Sequence, residues 1–187
     1  MERFTKEEKS VLHTLSIILV AIFVICCNVM ANANEIKVNS VVSKVEKQIA
    51  DARGKATKGD RFLATKIVKV SNEYNINPHL YTAILAHESM FRLDAVNAVS
   101  HDYGIAQINI KNIRRMQLDL DLILTDLEYS LRAGAQVLSH MRKNFSAHET
   151  SYACRYNVGT AKVLSPKLKA VCVQYMSKIN SYYVAGQ

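Results

Sequence analysis

Asn75-Ile76-Asn77-Pro78-His79-Leu80-Tyr81-Thr82-Ala83-Ile84-Leu85-Ala86-His87-Glu88-Ser89-Met90-Phe91 is the stretch on which the fold turns. Asn77 is the residue type that caps a helix N-terminus, and Pro78 suits the first helical position, so a helix starts there. Leu80, Ile84 and Leu85 give it an apolar face, and it is expected to end near Met90. Just inside that end stands Glu88, with Ile84, Leu85 and Phe91 as sequence neighbours. Desolvation among such groups disfavours the charged carboxylate and raises its pKa, and the negative end of the helix dipole acts in the same direction. A carboxyl still protonated near neutral pH can protonate a leaving oxygen. By position alone, a solvated glutamate at a helix end is the commoner case.

Upstream, Phe62, Leu63, Ile67, Val70 and Tyr74 read as one apolar helical stripe. Val38, Val42, Val45 and Ile49 recur at helical spacing, so an amphipathic helix is expected there, docked on the main domain, with Gly54 to Gly59 as a linker. Downstream, residues 92–111 show no sustained period and hold Asn, Ser, Asp and Gly, so they read as an ordered loop or a short hairpin. Further helices are expected over Leu127 to Asn144, with Leu131, Ala135 and Leu138 inward, and over Ser151 to Tyr156 and Leu168 to Tyr182. The fold class is therefore mostly α, with at most a small β-hairpin near 99–110.

The beginning of the chain bears on its compartment. Arg3, Lys6 and Lys9 precede an apolar run that is densest from Leu15 to Cys27, and Ala31-Asn32-Ala33 follows. A positive start, a short apolar core and a small-residue exit read as a secretory signal peptide over 1–33. The alternative is an uncleaved membrane anchor, since Leu12 to Met30 is long enough to span a bilayer. The remainder divides into a helix and linker over 34–60 and a domain over 61–187. After cleavage only Cys154 and Cys172 remain, 18 residues apart. In an oxidising compartment they read as a disulfide, with two buried thiols as the alternative.

Composition narrows the class of partner. The chain has 187 residues and a net charge of +8, with only 6 Gly and 2 Pro. That excludes collagen-like and low-complexity chains, and the charge suits an acidic partner. Nucleic acid is disfavoured, because export is expected and no basic run is interleaved with stacking aromatics.

Two later stretches change the weight placed on Glu88. One is Ser100-His101-Asp102-Tyr103-Gly104-Ile105-Ala106-Gln107-Ile108-Asn109, and the other is Tyr152-Ala153-Cys154-Arg155-Tyr156-Asn157-Val158-Gly159. Glu88-Ser89-x-Phe91, then Ser100, Gly104, Gln107 and Asn109, then Tyr156-Asn157-x-Gly159, resembles the soluble-lytic-transglycosylase family of lysozyme-like peptidoglycan enzymes. The resemblance runs from about Ile67 to Tyr182, and the short size and the Asp-Tyr-Gly form look like the specialised members that accompany secretion, conjugation or pilus machines. It implies a lysozyme-like fold and one catalytic carboxyl, Glu88. That carboxyl would protonate the glycosidic oxygen between N-acetylmuramic acid and N-acetylglucosamine, then take the proton of the muramyl 6-hydroxyl as a 1,6-anhydro ring closes. No metal or cofactor is implied. Ser100 and Gln107 would line the saccharide groove, Asn157 would support it, and Tyr156 would hydrogen-bond to Glu88 and orient it. The partner would be peptidoglycan glycan strands, with components of a trans-envelope machine; a membrane enters only if the first segment is retained.

Several residues keep a second reading. Gly104 and Gly159 are candidates for turn glycines with positive φ. Gln107 and Asn157 are candidates to satisfy buried backbone groups, and Tyr156 to be core. Asp102 also fits the second carboxylate of animal-type lysozymes, which would permit hydrolysis; an aspartate before Tyr-Gly is more often a turn residue. Ala106 stands where the family commonly has Met, and a smaller side chain there would either widen the groove or matter little. Besides catalysis, a glycan-binding assembly factor and a scaffold acting through residues 35–50 remain as rival classes.

Overall fold

The computed structural model describes residues 6–145, 149–159 and 165–184. The chain divides into two compact units, Met1–Ser40 and Val41–Gln187. The first is helical from Lys6, in a helix α1 that runs Lys6–Arg53 and gives its last turns to the second unit. Leu19, Ile22, Phe23, Val29 and Met30 are all exposed along it. This stretch is long and apolar enough to cross a membrane.

The second unit begins with the end of α1. Val42, Val45 and Ile49 are buried in the core, whereas Val38, the first member of the expected stripe, lies in the other unit and is exposed. Gln48 is buried among polar partners: its Nε2 donates to the carbonyls of His79 and Tyr182. The Gly54–Gly59 linker then turns the chain into α2 (Asp60–Glu73). Arg53 and Asp60 form an ion pair across that turn. Leu63, Ile67 and Val70 are buried as the periodicity predicts, but Phe62 is not. One residue of helix rotates about 100°, which carries Phe62 off the inward face, where the Lys66 ammonium sits 5.6 Å from its ring centre.

The helix α3 (Pro78–Ser89) is the centre of the unit. Asn77 Oδ1 accepts from the backbone N–H of His79 and Leu80. Met90, with φ of 52°, closes the other end in the left-handed conformation. Leu80 through Ala86 are all buried, so α3 is covered all round and its last turn emerges at the surface.

A three-stranded antiparallel sheet follows: β1 (Val96–Asn97), β2 (Asp102–Tyr103) and β3 (Ile108–Asn109), in the order β1-β2-β3. Asp102 pairs with Asn97 on one side and Asn109 on the other. The expected sheet was confined to 99–110; the observed one begins earlier, because β1 supplies the partner for β2. Two short helices, α4 (Ile110–Arg115) and α5 (Leu120–Thr125), were not anticipated. Each has six residues, too few to show a helical period, and each is started by a side-chain cap, Asn109 and Asp119.

The domain closes with α6 (Leu127–Phe145), α7 (Glu149–Val158) and α8 (Pro166–Val184). Leu131, Ala135 and Leu138 of α6 are fully buried. Cys154 of α7 and Cys172 of α8 are joined by a disulfide, with their Cα atoms 5.2 Å apart. The α8 helix packs along α3 as well as α7.

Candidate active site

Glu88 occupies the last turn of α3, where the buried helix reaches a cleft of about 850 Å³. Its pKa is pushed up to about 7. Burial of the carboxyl is the main cause; a hydrogen bond from Tyr175 pulls the other way, and the negative charge of Asp102 adds to the rise. Near neutral pH this group is divided between acid and base forms, as proton transfer in both directions requires.

The Tyr175 hydroxyl donates to Glu88 Oε1 at 2.8 Å. Tyr175 is buried, and the edge of its ring meets the His87 ring with 5.2 Å between centres. The orienting tyrosine was expected to be Tyr156. Instead, the Tyr156 hydroxyl donates to the Ala106 carbonyl at 2.6 Å, which ties α7 to the loop before β3 while Tyr156 still lines the cleft. The chain offers tyrosines on both α7 and α8, and the packing of α8 along α3 decides which hydroxyl meets the carboxyl. Tyr175 had one signal in the sequence: with Cys172 and Ile179 it forms an i, i+3, i+7 set on the inward face of α8.

The other expected residues converge. Ser100, Asp102, Gln107, Asn109, Asn157 and Gly159 line the same cleft as Glu88. Asn109 does two jobs: its Oδ1 accepts from the Lys111 N–H to start α4, and its Nδ2 donates to Asp102 Oδ1 and to the Ser100 carbonyl, both at 2.8 Å. Asp102 is thus a strand residue with its carboxylate held at the cleft, rather than the turn residue expected of Asp before Tyr-Gly. Gln107, with φ of 46°, donates from Nε2 to the carbonyls of Ala95 and Gly104, so its amide braces the loop as well as facing the cleft.

Gly104 and Gly159 have φ of 77° and 79°. At Gly104 a Cβ would stand 2.6 Å from Ile123 Cγ2, so both the conformation and the space require glycine. Ala106 does not widen the groove. It is fully buried against α6, where a Cβ on Gly134 would come within 2.5 Å of its own. Among the described residues, no three His, Cys, Asp or Glu side chains gather as metal ligands.

The model of the transglycosylase SLT domain family matches residues 66–171. The chain belongs to the SLT domain family. Among solved structures it is similar to the X-ray structure of an inactive mutant of the lytic transglycosylase Slt from Pseudomonas aeruginosa, with 19% identity and a TM-score of 0.49. The likeness covers 65% of this chain and 23% of that one. No curated protein matches the chain. Glu88 and the six polar residues expected around it all fall inside the matched SLT domain. Tyr175 lies beyond its last matched residue, so the partner of Glu88 comes from outside the matched segment.

Proposed function

We propose that this chain is a peptidoglycan lytic transglycosylase in which Glu88 is both acid and base. The observation that carries the reading is the Glu88 carboxyl. It lies within the SLT domain at a polar cleft, with a pKa raised to about 7 and one oxygen held by Tyr175. Protonated Glu88 gives its proton to the glycosidic oxygen as the muramyl C1–O bond breaks. The resulting carboxylate then takes the proton of the muramyl 6-hydroxyl, whose oxygen bonds to C1 and closes the 1,6-anhydro ring. No water is consumed, and Glu88 ends protonated, ready for the next bond. Ser100, Gln107 and Asn157 would bind the strand, and Tyr175 would keep Glu88 aimed.

A second reading rests on Asp102. Its carboxylate faces the cleft and acts electrostatically on Glu88. With water between strand and carboxylate, or with Asp102 as nucleophile, the same site would hydrolyse the bond as a lysozyme does. Mass spectrometry of the muropeptides released by the chain decides. Anhydro-muramyl ends, lost in Glu88→Gln, support the transglycosylase; reducing ends, heavier by one water, establish the hydrolase. Release of nothing by either protein overturns both and leaves a glycan-binding assembly factor.

The place of action in this reading is outside the cytoplasm, where peptidoglycan is found. The apolar helix of the first unit supports export, as a signal peptide or a retained anchor. Local opening of the wall for a secretion, conjugation or pilus apparatus is the role we assign. Ile36→Ser plus Val38→Ser, exposed positions of α1 outside the buried Val42, Val45 and Ile49, test the 35–50 segment as a docking element: lost machine assembly with unchanged cutting supports it, and unchanged assembly argues that the segment serves the domain alone.

A further inference from the structure

Beyond the acidic part of the cleft, the wall is formed by α4, and the charge there reverses. Lys111, Asn112 and Arg115 of α4 all line the cleft. Lys111 and Arg115 are four residues apart and so share a face of the helix. Both are exposed, and neither forms an ion pair among the described residues. Arg115 is steadied by a 3.0 Å hydrogen bond from Nη2 to Asn112 Oδ1. Arg115 is also a wall of a second, smaller cavity of about 400 Å³ that includes Gln136, His140 and Lys143 and no carboxylate. Burial, and then the positive charges of Arg115 and Lys143, hold the His140 pKa below its ordinary value, so these cations act on a common space.

With the lactyl carboxyls taken up in amide bonds to the stems, the sugar backbone carries no charge that would pair with these cations. The peptide stems on its muramyl residues do, as carboxylates. We propose that α4 reads the stem: Lys111 and Arg115 bind a stem carboxylate of the strand lying in the cleft, and the smaller cavity behind Arg115, with Lys143 at its wall, takes the next part of the peptide. The assignment rests on the peptidoglycan reading of the cleft and adds a requirement to it. The strand is recognised by its peptide as well as its sugars, and only the muramyl residue whose stem reaches α4 is placed for cutting.

The test measures binding by the full chain, in mild detergent, carrying Glu88→Gln so that the strand survives. The probes are glycan strands with intact stems, strands stripped of stems by an amidase, which keep one lactyl carboxylate on each muramyl residue, and strands whose stem carboxylates are amidated. Intact strands are expected to bind about five- to tenfold more tightly than stripped or amidated ones, the scale of two or three exposed charge contacts. The gap closes with Lys111→Gln plus Arg115→Gln, narrows with Lys143→Gln, and shrinks in about 0.5 M salt, where screening is strong. Equal binding of intact and amidated strands overturns the proposal. So does a double variant that weakens binding to both equally, which marks a merely structural role for α4. Cutting of the same strands by the unsubstituted chain is scored separately. A stem-dependent gap without cutting overturns the enzymatic reading and keeps this one, cutting without a gap does the reverse, and no binding to any strand overturns both.

Discussion

The Tyr175 hydroxyl meets the Glu88 carboxylate at 2.8 Å across the contact between α8 and α3. This bond opposes the main influence on the carboxyl, since burial favours the neutral acid and the hydrogen bond favours the anion. The outcome is a group balanced near pH 7, at which one residue can serve successively as acid and base. Tyr175 is shifted in its turn: burial, and then the nearby Glu88 charge, hold its phenol well above the usual range, so it remains a donor at any physiological pH.

Replacing Tyr175 with Phe separates orientation from acidity. With the hydroxyl gone, burial and the Asp102 charge act unopposed, so the Glu88 pKa moves further above 7. The acid form is the one that starts the reaction, and kcat/KM falls above that pKa. The alkaline limb in Tyr175→Phe is therefore expected at higher pH, by about half a unit to one unit. On the plateau the rate drops about tenfold, because the carboxyl is no longer held in one orientation. A pH–rate profile on isolated glycan strands checks both; an unmoved limb would show that the 2.8 Å bond does not tune the acid.

Asp102→Asn shifts the balance the other way. The Asp102 charge raises the Glu88 pKa, so its removal lowers that pKa and brings the alkaline limb to lower pH by a few tenths of a unit. The amide keeps an oxygen for Asn109 Nδ2 to bond, so the cleft retains its shape. In a single-carboxyl transglycosylase the plateau changes less than about fivefold, whereas a hydrolase losing its second carboxylate falls by about a thousandfold or more. Rates below about pH 6, where Glu88 stays protonated in either protein, separate the two.

The parts of this domain that were legible from the sequence are those with local causes. Asn77 and Pro78 mark the start of α3 because a cap acts within three residues. Glu88, Ser100, Gln107 and Asn157 could be grouped because their order matched a family pattern, and the cleft does gather them. The misreadings involve contacts between distant segments. Whether Tyr156 or Tyr175 reaches Glu88 depends on how α7 and α8 pack, and both helices offer an inward tyrosine. The strand β1 is only two residues, defined by its pairing with Asp102 and Tyr103 rather than by a period of its own. Ala106 looked like a groove residue from its place in the motif, yet its neighbour is Gly134 on α6.

Gly104→Ala tests the loop that carries Asp102 and Gln107. The new Cβ would stand 2.6 Å from Ile123 Cγ2 and 2.9 Å from both the Ile123 carbonyl oxygen and Ser130 Oγ, at a φ of 77°. Backbone strain and overpacking together should cost about 2–4 kcal/mol. Denaturant unfolding is expected to show that loss. Because the carbonyl of Gly104 accepts from Gln107 Nε2, residual activity should fall more through KM than through kcat. An unchanged midpoint would mean that α5 yields to make room.

The Cys154–Cys172 bridge closes a loop of 18 residues and lies one helical turn before Tyr175 on α8. Loop-closure entropy puts its worth at about 3 kcal/mol, which corresponds to a fall of about 10 °C in Tm for a domain of this size. Reduction with a thiol, or Cys154→Ala plus Cys172→Ala, should show that fall. The unbridged protein should also shift its alkaline limb towards that of Tyr175→Phe, since looser α8 lengthens the bond to Glu88. A lower Tm with an unmoved limb would confine the bridge to stability.

Glu88→Gln should stabilise the protein, increasingly as pH rises from about 4.5 to about 7. The folded carboxyl has a pKa of about 7 against an ordinary value of 4.5, so between those values the folded chain holds a proton that the unfolded chain has lost. Stability therefore falls as pH rises through this window and is level above it. The shift sets a ceiling of about 3 kcal/mol, and because Glu88 opens on the cleft, water reduces the realised value to about 2 kcal/mol. The amide introduced by the substitution does not ionise, and its oxygen can still accept from Tyr175. The variant should match the parent near pH 4.5 and exceed it by about 2 kcal/mol near pH 8. Urea midpoints across that range are the measurement. Parallel curves for the two proteins would mean that the carboxyl is solvated and ordinary, and the proton donor assigned to this cleft would then have to be sought elsewhere.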